Sequence, residues 1–409
     1  EVDHNLIATA SHTFTPQLDG RFTVGQNLNS RRFRGLYVAG FGLNAPAPYA
    51  IQNTVDMAAT EYRSLVHSES YFGQVEADVI DRIFLTLGVR NDGFSTFGPD
   101  NRRAWYPKAN VAWIFRNADE GANRRVLDFG RLRLAYGETG QEPPVYASIT
   151  GLSSEIAFGS GFGDFLTVNQ GSLGGLATDW MIGNPDLKPE RQRETEIGLD
   201  LALFSQRLDL GLTYYNKQSR DMIVLMPAHA AETGGSQRYA NAASLSNKGF
   251  ELTLNSRLYE SSTSTIELGG TFGRNKGKVL DLGGPEFIRY NIEGFSDAYG
   301  SSTVGYAPGV IRGLDFVRCG RGLMVDGVDI DAYCQSHNAP NGALYLAEDG
   351  WPLVDLTERV IADPNPKYTM SFNSSVRFLT NFRFSALVDV RKGGQVWNGT
   401  LGQLYNFGT

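Results

Sequence analysis

Two cysteines and a short acidic run are the residues of this 409-residue chain whose types and spacing point most directly to chemistry. Cys319 and Cys334 have fourteen residues between them in a polar, glycine-rich segment. That spacing suits one disulfide closing a loop in an oxidising compartment, with two free thiols as the alternative. Asp326, Asp329 and Asp331 lie between the cysteines, but their spacing misses the twelve-residue calcium-binding loop. A solvated acidic loop is therefore the simpler interpretation.

The spacings that would build a catalytic centre are missing from the rest of the sequence. Gly159–Gly163 is glycine-rich but lacks the Lys-Ser/Thr of a phosphate-binding loop, so we interpret it as a flexible turn. No nucleophile constellation is visible. We therefore predict that the chain is not an enzyme and uses no cofactor or metal. The scattered histidines, which lack zinc-site spacing, are His4, His12, His67, His229 and His337.

The overall charge excludes another class of function. The net charge is -7, and no stripe of lysine and arginine is concentrated in one segment. A nucleic acid backbone needs such a basic surface, so nucleic acid is not expected as a partner. The sequence also lacks a run of about eighteen apolar residues, which excludes a transmembrane helix.

Charged and apolar residues alternate with period two in several runs, which defines strands with two chemically different faces. Alternation alone fits a soluble sandwich as well as a membrane barrel. In a barrel, the charged face would line the lumen, because charge facing lipid is costly. We expect these charged side chains to contribute to the structure of the barrel wall rather than to contact a substrate. The candidate lumen-facing residues are Glu194, Glu196, Asp200, Glu251 and Arg257.

Hairpins with very short turns alternate with long Gly-, Pro- and Asn-rich connections, as in a transmembrane β-barrel with short periplasmic turns and long extracellular loops. Strands of ten or more residues match a tilted bilayer span. The predicted hairpins pair Tyr71–Ile80 with Ile83–Arg90, Glu194–Phe204 with Arg207–Tyr215, Phe250–Leu258 with Thr265–Phe272, and Tyr368–Phe378 with Phe382–Val390. Further strands are predicted at Leu6–Phe14, Arg21–Asn29, Tyr106–Phe115 and Phe129–Gly137, and outer connections at Ser30–Glu61, Glu138–Pro189, Gln218–Asn247 and Gly277–Lys367.

One motif resembles a known family. Asn184–Glu190 reads Asn-Pro-Asp-Leu-Lys-Pro-Glu and leads into a Glu-containing strand. This closely resembles TonB-dependent outer-membrane receptors of the SusC/RagA-like branch, and weaker similarities occur at Asn91–Asn101, Asn247–Leu252 and Pro364–Thr369. Pro185 and Pro189 fix φ and lack donors, so they would steer an exposed loop into the barrel wall.

The resemblance implies an antiparallel transmembrane β-barrel in the bacterial outer membrane that imports oligosaccharides or peptides. The implied partners are TonB, a SusD-like surface lipoprotein and outer-membrane lipid. The family also implies a plug domain, which the sequence does not show, so residues 1–409 are expected to be a partial barrel without the plug and the C-terminal strands. The alternative is a surface-exposed β-structured binding protein or adhesin without transport.

Four aromatic residues in the predicted outer connections could stack on sugar rings as apolar platforms. Ordinary packing within the loops explains them equally well. They are Tyr146, Trp180, Tyr299 and Trp351.

Overall fold

Strands make up most of the protein. The computed structural model describes residues 1–117, 126–153, 169–170, 173–174, 177–290 and 298–406. Within these ranges, no helix is long and apolar enough to cross a membrane. The helices are α1 (Ala230–Thr233), α2 (Ile330–Ser336) and α3 (Gly399–Asn406), and single 3-10 turns lie at Ile51–Asn53 and Pro99–Asn101.

The chain divides into two compact units. The first contains Glu1–Gln206 and Tyr215–Ser244, and the second contains Arg207–Tyr214 and Leu245–Thr409. Seven strands of the first unit pair in chain order as an antiparallel sheet. They are β1 (Val2–Thr15), β2 (Leu18–Leu43), β3 (Thr54–Val79), β4 (Ile83–Phe94), β5 (Arg103–Arg116), β6 (Leu127–Thr139) and β7 (Arg191–Leu203).

Two long strands contribute residues to both units. They are β8 (Leu208–Pro227) and β9 (Gln237–Glu260). Their ends show that the predicted outer connection Gln218–Asn247 is wrong, because strand structure fills much of it. The predicted strand boundaries at the preceding turn also shift, since Phe204, Ser205 and Gln206 have positive φ and β8 starts only after Arg207.

The β2–β3 hairpin corrects a second predicted connection. Its two strands pair continuously from Leu18↔Val79 to Leu43↔Thr54, so most of Ser30–Glu61 is strand rather than loop. The sequence hid this extension because its pattern is broken by three arginines and three glycines. The pairing partner, which satisfies the backbone donors and acceptors, cannot be read from one strand alone.

The second unit holds further antiparallel pairs. The chain-order strands there are β10 (Thr265–Asp281), β11 (Phe287–Tyr290), β12 (Tyr299–Thr303), β13 (Val310–Phe316), β14 (Val354–Ala362), β15 (Pro366–Phe378) and β16 (Phe382–Gly393). Strands β10, β15 and β16 are neighbours in order, and β11 to β14 form a separate four-stranded sheet. This sheet lies inside Gly277–Lys367, so that predicted outer connection is largely structured. The predicted hairpins Tyr71–Ile80 with Ile83–Arg90 and Tyr368–Phe378 with Phe382–Val390 are confirmed.

The remaining short elements have two residues each. They are Leu152–Ser153, Asn169–Gln170, Leu173–Gly174, Ala177–Thr178, Met181–Ile182, Met324–Val325 and Val328–Asp329. In the described part of the predicted connection Glu138–Pro189, only such short pairs and the end of β6 are regular. The glycine-rich turn Gly159–Gly163 lies outside the described residues.

A small disulfide-linked core forms between β13 and β14. Cys319 and Cys334 are bonded, with their Cα atoms 5.9 Å apart. Both sulfurs are buried beside Val317 and Ile330, which pack into one apolar cluster. The bond therefore joins the start of this segment to helix α2 and closes the cluster covalently.

Two acidic residues of this segment, Asp329 and Asp331, accept hydrogen bonds from backbone N–H groups. Asp329 caps α2 by accepting hydrogen bonds from the N–H groups of Asp331 and Ala332, both 3.0 Å. The Asp331 carboxylate accepts from the N–H groups of Gly320 at 2.6 Å and Gly322 at 2.8 Å. Among the described residues, no group of three His, Cys, Asp or Glu side chains could hold a metal ion.

Replacing both cysteines, as Cys319→Ser with Cys334→Ser, should loosen the segment from Val317 to Leu353. A disulfide closing a loop of this length stabilises by about 3 kcal/mol, chiefly by restricting the unfolded chain. Amide hydrogen exchange should accelerate at Cys319 and Ala339, whose N–H groups donate to Ala343 and Cys334. Exchange in β16 serves as the internal control, and unchanged protection at both positions would contradict this role.

Candidate functional site

The two faces of β7 differ in chemistry and in exposure. Glu194, Glu196 and Asp200 lie on one face and are partly buried. On the opposite face, Ile197 is 48% exposed. A soluble sheet covers its apolar face and exposes its charges, so β7 shows the reverse arrangement.

The same two faces continue across the sheet of the first unit, because residues directly opposite each other in antiparallel strands point to the same side. On the apolar face, the band begins at a row containing Leu6, Tyr71 and Trp105. It ends at a row containing Leu18 and Trp113, with Phe14 in the adjoining irregularity of β1. The eight steps from Leu6 to Phe14 cover about 27 Å along the strand at roughly 3.4 Å per residue. A tilted strand of this length crosses the hydrocarbon layer of a bilayer.

An ionic cluster occupies the opposite, charged face where β6 and β7 pair. Asp200 accepts hydrogen bonds from Nε of Arg131 and from Nε of Arg133, each at 2.9 Å. Arg133 also reaches Oε1 of Glu196 at 3.2 Å. All four side chains remain between a quarter and a half exposed. Two arginines and two carboxylates therefore form a hydrated, charge-balanced surface.

Gly198 makes this cluster possible. A Cβ atom at this position would lie 2.6 Å from Nη2 and 2.7 Å from Cζ of Arg133. The guanidinium of Arg133 therefore lies flat across the glycine, between Glu196 and Asp200, which flank it on the same face. A side chain at Gly198 would separate the arginine from its partners.

Further polar contacts continue along the charged face towards β1. Arg21 on β2 pairs with Glu76 on β3 at 3.4 Å. Asn27 donates to Asp3 and to Asn5, both at 2.7 Å. Side-chain hydrogen bonds therefore link several strands on this face, in addition to the backbone pairing.

The predicted candidate residues fall in different parts of the protein. Glu196 and Asp200 join the ionic cluster, whereas Glu194 lies on the same face without an ion pair among the described residues. In the second unit, Glu251 and Arg257 lie on β9 and are exposed, and Arg257 pairs with Glu260 at 3.1 Å.

Sequence reasoning missed Arg131 and Arg133, the two cations of the cluster. Their alternation within the predicted strand Phe129–Gly137 was a usable signal, because it places both on one face. The register that places Arg133 opposite Gly198 and Arg131 opposite Asp200 is visible only in the structure.

The four aromatic residues of the outer connections divide into two groups. Tyr299 is buried, and its hydroxyl donates to Glu358 at 2.6 Å, so its ring is not an open platform. Tyr146, Trp180 and Trp351 remain exposed.

The motif Asn184–Glu190 forms the junction between a loop and the wall. Leu187 is completely buried against Phe97 and Ala147. The backbone of Lys188 exchanges two hydrogen bonds with the side chain of Asn241, at 2.8 and 2.7 Å. Strand β7 starts directly after this anchored segment, as expected for a motif that steers the chain into the sheet.

Glu190 completes the junction. Its Oε1 accepts a hydrogen bond from the Ile223 N–H at 2.8 Å. Burial raises the pKa of Glu190 above its usual range, although the Ile223 hydrogen bond partly opposes the shift. The folded state therefore binds a proton at this carboxyl more tightly than the unfolded chain does.

Comparison with known proteins agrees with this architecture. Residues 3–399 match the family model described as TonB dependent receptor-like, beta-barrel. TonB-dependent receptor P3 of Formosa agariphila is 28% identical over 86% of this chain and 34% of the relative. TonB-dependent receptor SusC of Bacteroides thetaiotaomicron is 25% identical over 58% of this chain and 24% of the relative. The chain thus spans about a third or less of the length of these curated relatives.

A solved structure shows the same fold. The RagAB peptide transporter aligns with a TM-score of 0.71 and 18% identity, over 95% of this chain and 40% of the solved chain. At this identity the match supports the fold alone.

Replacing Gly198 by alanine should destabilise the wall by about 1–3 kcal/mol, the usual range for overpacking, because Arg133 must leave its place. Gly137→Ala is the matched control, since a Cβ there meets no atom within 4 Å. The measurement is the temperature at which the purified, full-length protein loses its compact, heat-modifiable band in electrophoresis. Equal effects of the two substitutions would argue against the close approach of Arg133.

Glu190→Gln should remove a pH-dependent contribution to stability. Because the pKa of Glu190 is raised in the folded state, its protonation stabilises the fold, and this contribution is complete at pH values below the unfolded pKa of 4.5. The contribution is lost as the pH rises through the folded pKa. The unfolding temperature of Glu190→Gln relative to the wild type should therefore rise over the pH interval that begins near 4.5 and extends upward. A constant difference across this interval would contradict the burial effect.

Proposed function

The chain belongs to the TonB-dependent receptor-like β-barrel family. We propose that it belongs to the SusC/RagA-like branch of this family and forms part of the wall of an importer. Its location is the bacterial outer membrane. We propose oligosaccharides or peptides as the imported substrates. The family consists of receptors and transporters, which agrees with the lack of catalytic spacings in the sequence.

The observation that carries the proposal is the reversed exposure of the two faces. Exposed Ile197 and the apolar band face lipid, and the charged face with Arg133 and Asp200 lines the lumen. Charge at the bilayer midplane would cost a few kcal/mol, whereas the hydrated lumen tolerates it. Glu194, Glu196, Glu251 and Arg257 belong to the same proposed lining.

The chemistry of the charged face supports polar substrates of either class. Paired arginines and carboxylates suit the charged ends and side chains of peptides. The asparagine and threonine side chains of β1 and β2 could exchange hydrogen bonds with sugar hydroxyls. Peptides are also the substrate named for RagAB, whose fold this chain shares.

We propose two protein partners for the complete receptor. A SusD-like surface lipoprotein would cover the extracellular opening, and TonB would supply energy from the inner membrane. Both assignments follow the SusC/RagA-like relationship. A surface adhesin without transport is the weaker alternative, because the family match covers residues 3–399.

The test of the proposed function is uptake of labelled oligosaccharides and labelled peptides by cells that express the full-length protein in the outer membrane. Uptake of one class should occur and should stop when an uncoupler removes the proton-motive force. Uptake that continues unchanged in the presence of the uncoupler, or no uptake of either class, would overturn the proposal of energy-dependent import.

Asp200→Asn should change which charged substrates pass. The substitution leaves Arg131 and Arg133 without their shared carboxylate and makes this part of the lining more positive. Uptake of an acidic peptide should rise relative to that of a basic peptide of equal length. Asp81→Asn is the matched control, because it removes the same charge in an exposed turn whose positive φ asparagine accepts. An unchanged ratio in Asp200→Asn would contradict the lumen assignment.

A further inference from the structure

An open cavity of about 520 Å³ lies at one end of the apolar band in the first unit. Most of its wall comes from two neighbouring cross-strand rows on the apolar face. One row contains His4, Leu28, Glu69 and Arg103, and the next contains Val2, Ser30 and His67. The cavity is therefore on the face that we assign to lipid and not on the charged face.

The cavity follows directly after an aromatic row. Tyr71 lies two residues after Glu69 on β3, and Trp105 lies two residues after Arg103 on β5. Their side chains are 44% and 61% exposed. Aromatic residues at the edge of an apolar band mark the level of lipid headgroups. The opposite end of these strands carries the short turns, so the cavity lies at the extracellular headgroup level.

Arg103 is held in a fixed position at the edge of this cavity. Its guanidinium pairs with Glu69 and donates to Oδ1 of Asn91 at 2.7 Å. The same group lies 5.6 Å from the ring centre of Tyr71. An arginine has five N–H donors, so N–H groups remain for a ligand after these contacts. Arg102, which is exposed, adds a second cation to the wall.

We propose that this cavity binds the phosphate-bearing headgroup of an outer-leaflet lipid, with the acyl chains of that lipid lying along the apolar band. Arg102 and Arg103 provide charge-assisted hydrogen bonds to the phosphate. Leu28 and Val2 contact the apolar part of the headgroup region, and Tyr71 and Trp105 border the first carbons of the chains.

The position of the cavity favours a lipid over a free anion. A soluble phosphate needs only the cations, whereas this site continues without interruption into an exposed apolar surface about 27 Å long. The inference rests on the proposed assignment of the apolar face to lipid, and it does not depend on the substrate that the lumen carries.

The test uses native mass spectrometry of the purified, full-length receptor in mild detergent. The probes are bis-phosphorylated lipid A, the same lipid without its phosphates, and inorganic phosphate. The wild type should retain the phosphorylated lipid, bind the dephosphorylated lipid about tenfold more weakly and show no competition from inorganic phosphate. Arg102→Gln with Arg103→Gln should lose the same factor of about ten.

Two variants keep this test decisive. Arg21→Gln removes an arginine from the charged face of β2 and should leave lipid retention unchanged. Heat-modifiability shows whether the double variant Arg102→Gln with Arg103→Gln is folded. The double variant Arg102→Lys with Arg103→Lys preserves both positive charges, so it should retain more phosphorylated lipid than the glutamine variant does. Equal retention of the two lipids, or competition by inorganic phosphate, would overturn the proposal. Because uptake is measured separately, an importer that retains no lipid would disprove only this inference.

Discussion

Cross-strand register is the constraint on which the rest of the first unit depends. A backbone in hydrocarbon must satisfy every N–H and C=O within the protein. Strands β2 to β6 do this by antiparallel pairing with a neighbour on each side, and the pairing also fixes which side chains share a face. The ionic cluster around Asp200 and the apolar band are two results of the same register. Neither could shift without the other.

The sequence predicted the faces better than it predicted the contacts. Period-two alternation placed Glu196 and Asp200 on the charged side of a strand before any partner was known. It could not show that Arg133 lies opposite Gly198, because register is a relation between two strands. For the same reason, Ser30–Glu61 resembled a loop when each half was considered alone.

The motif Asn184–Glu190 could be recognised in the sequence, but its contacts could not, because the motif is local and the contacts are distant in the chain. Two prolines and an asparagine restrict the local backbone, so the turn chemistry is visible in the sequence. The burial of Leu187 and the hydrogen bonds to Asn241 depend on residues 40 to 90 positions away in the chain. The acidic run near the cysteines differs, because its carboxylates accept hydrogen bonds from backbone N–H groups of their own loop.

The alternation of faces also limits how this wall can change during evolution. Inserting or deleting one residue inside β2 would turn every later side chain of that strand to the opposite side. Arginines of the charged face would then lie on the apolar face, and the aromatic and aliphatic residues would lie on the charged face. Length changes inside the paired strands are therefore tolerated in steps of two or at bulges, as at the irregularity between Ala202 and Leu203. The ten residues that connect β2 to β3 carry no such parity rule, so related chains should differ in length most freely there.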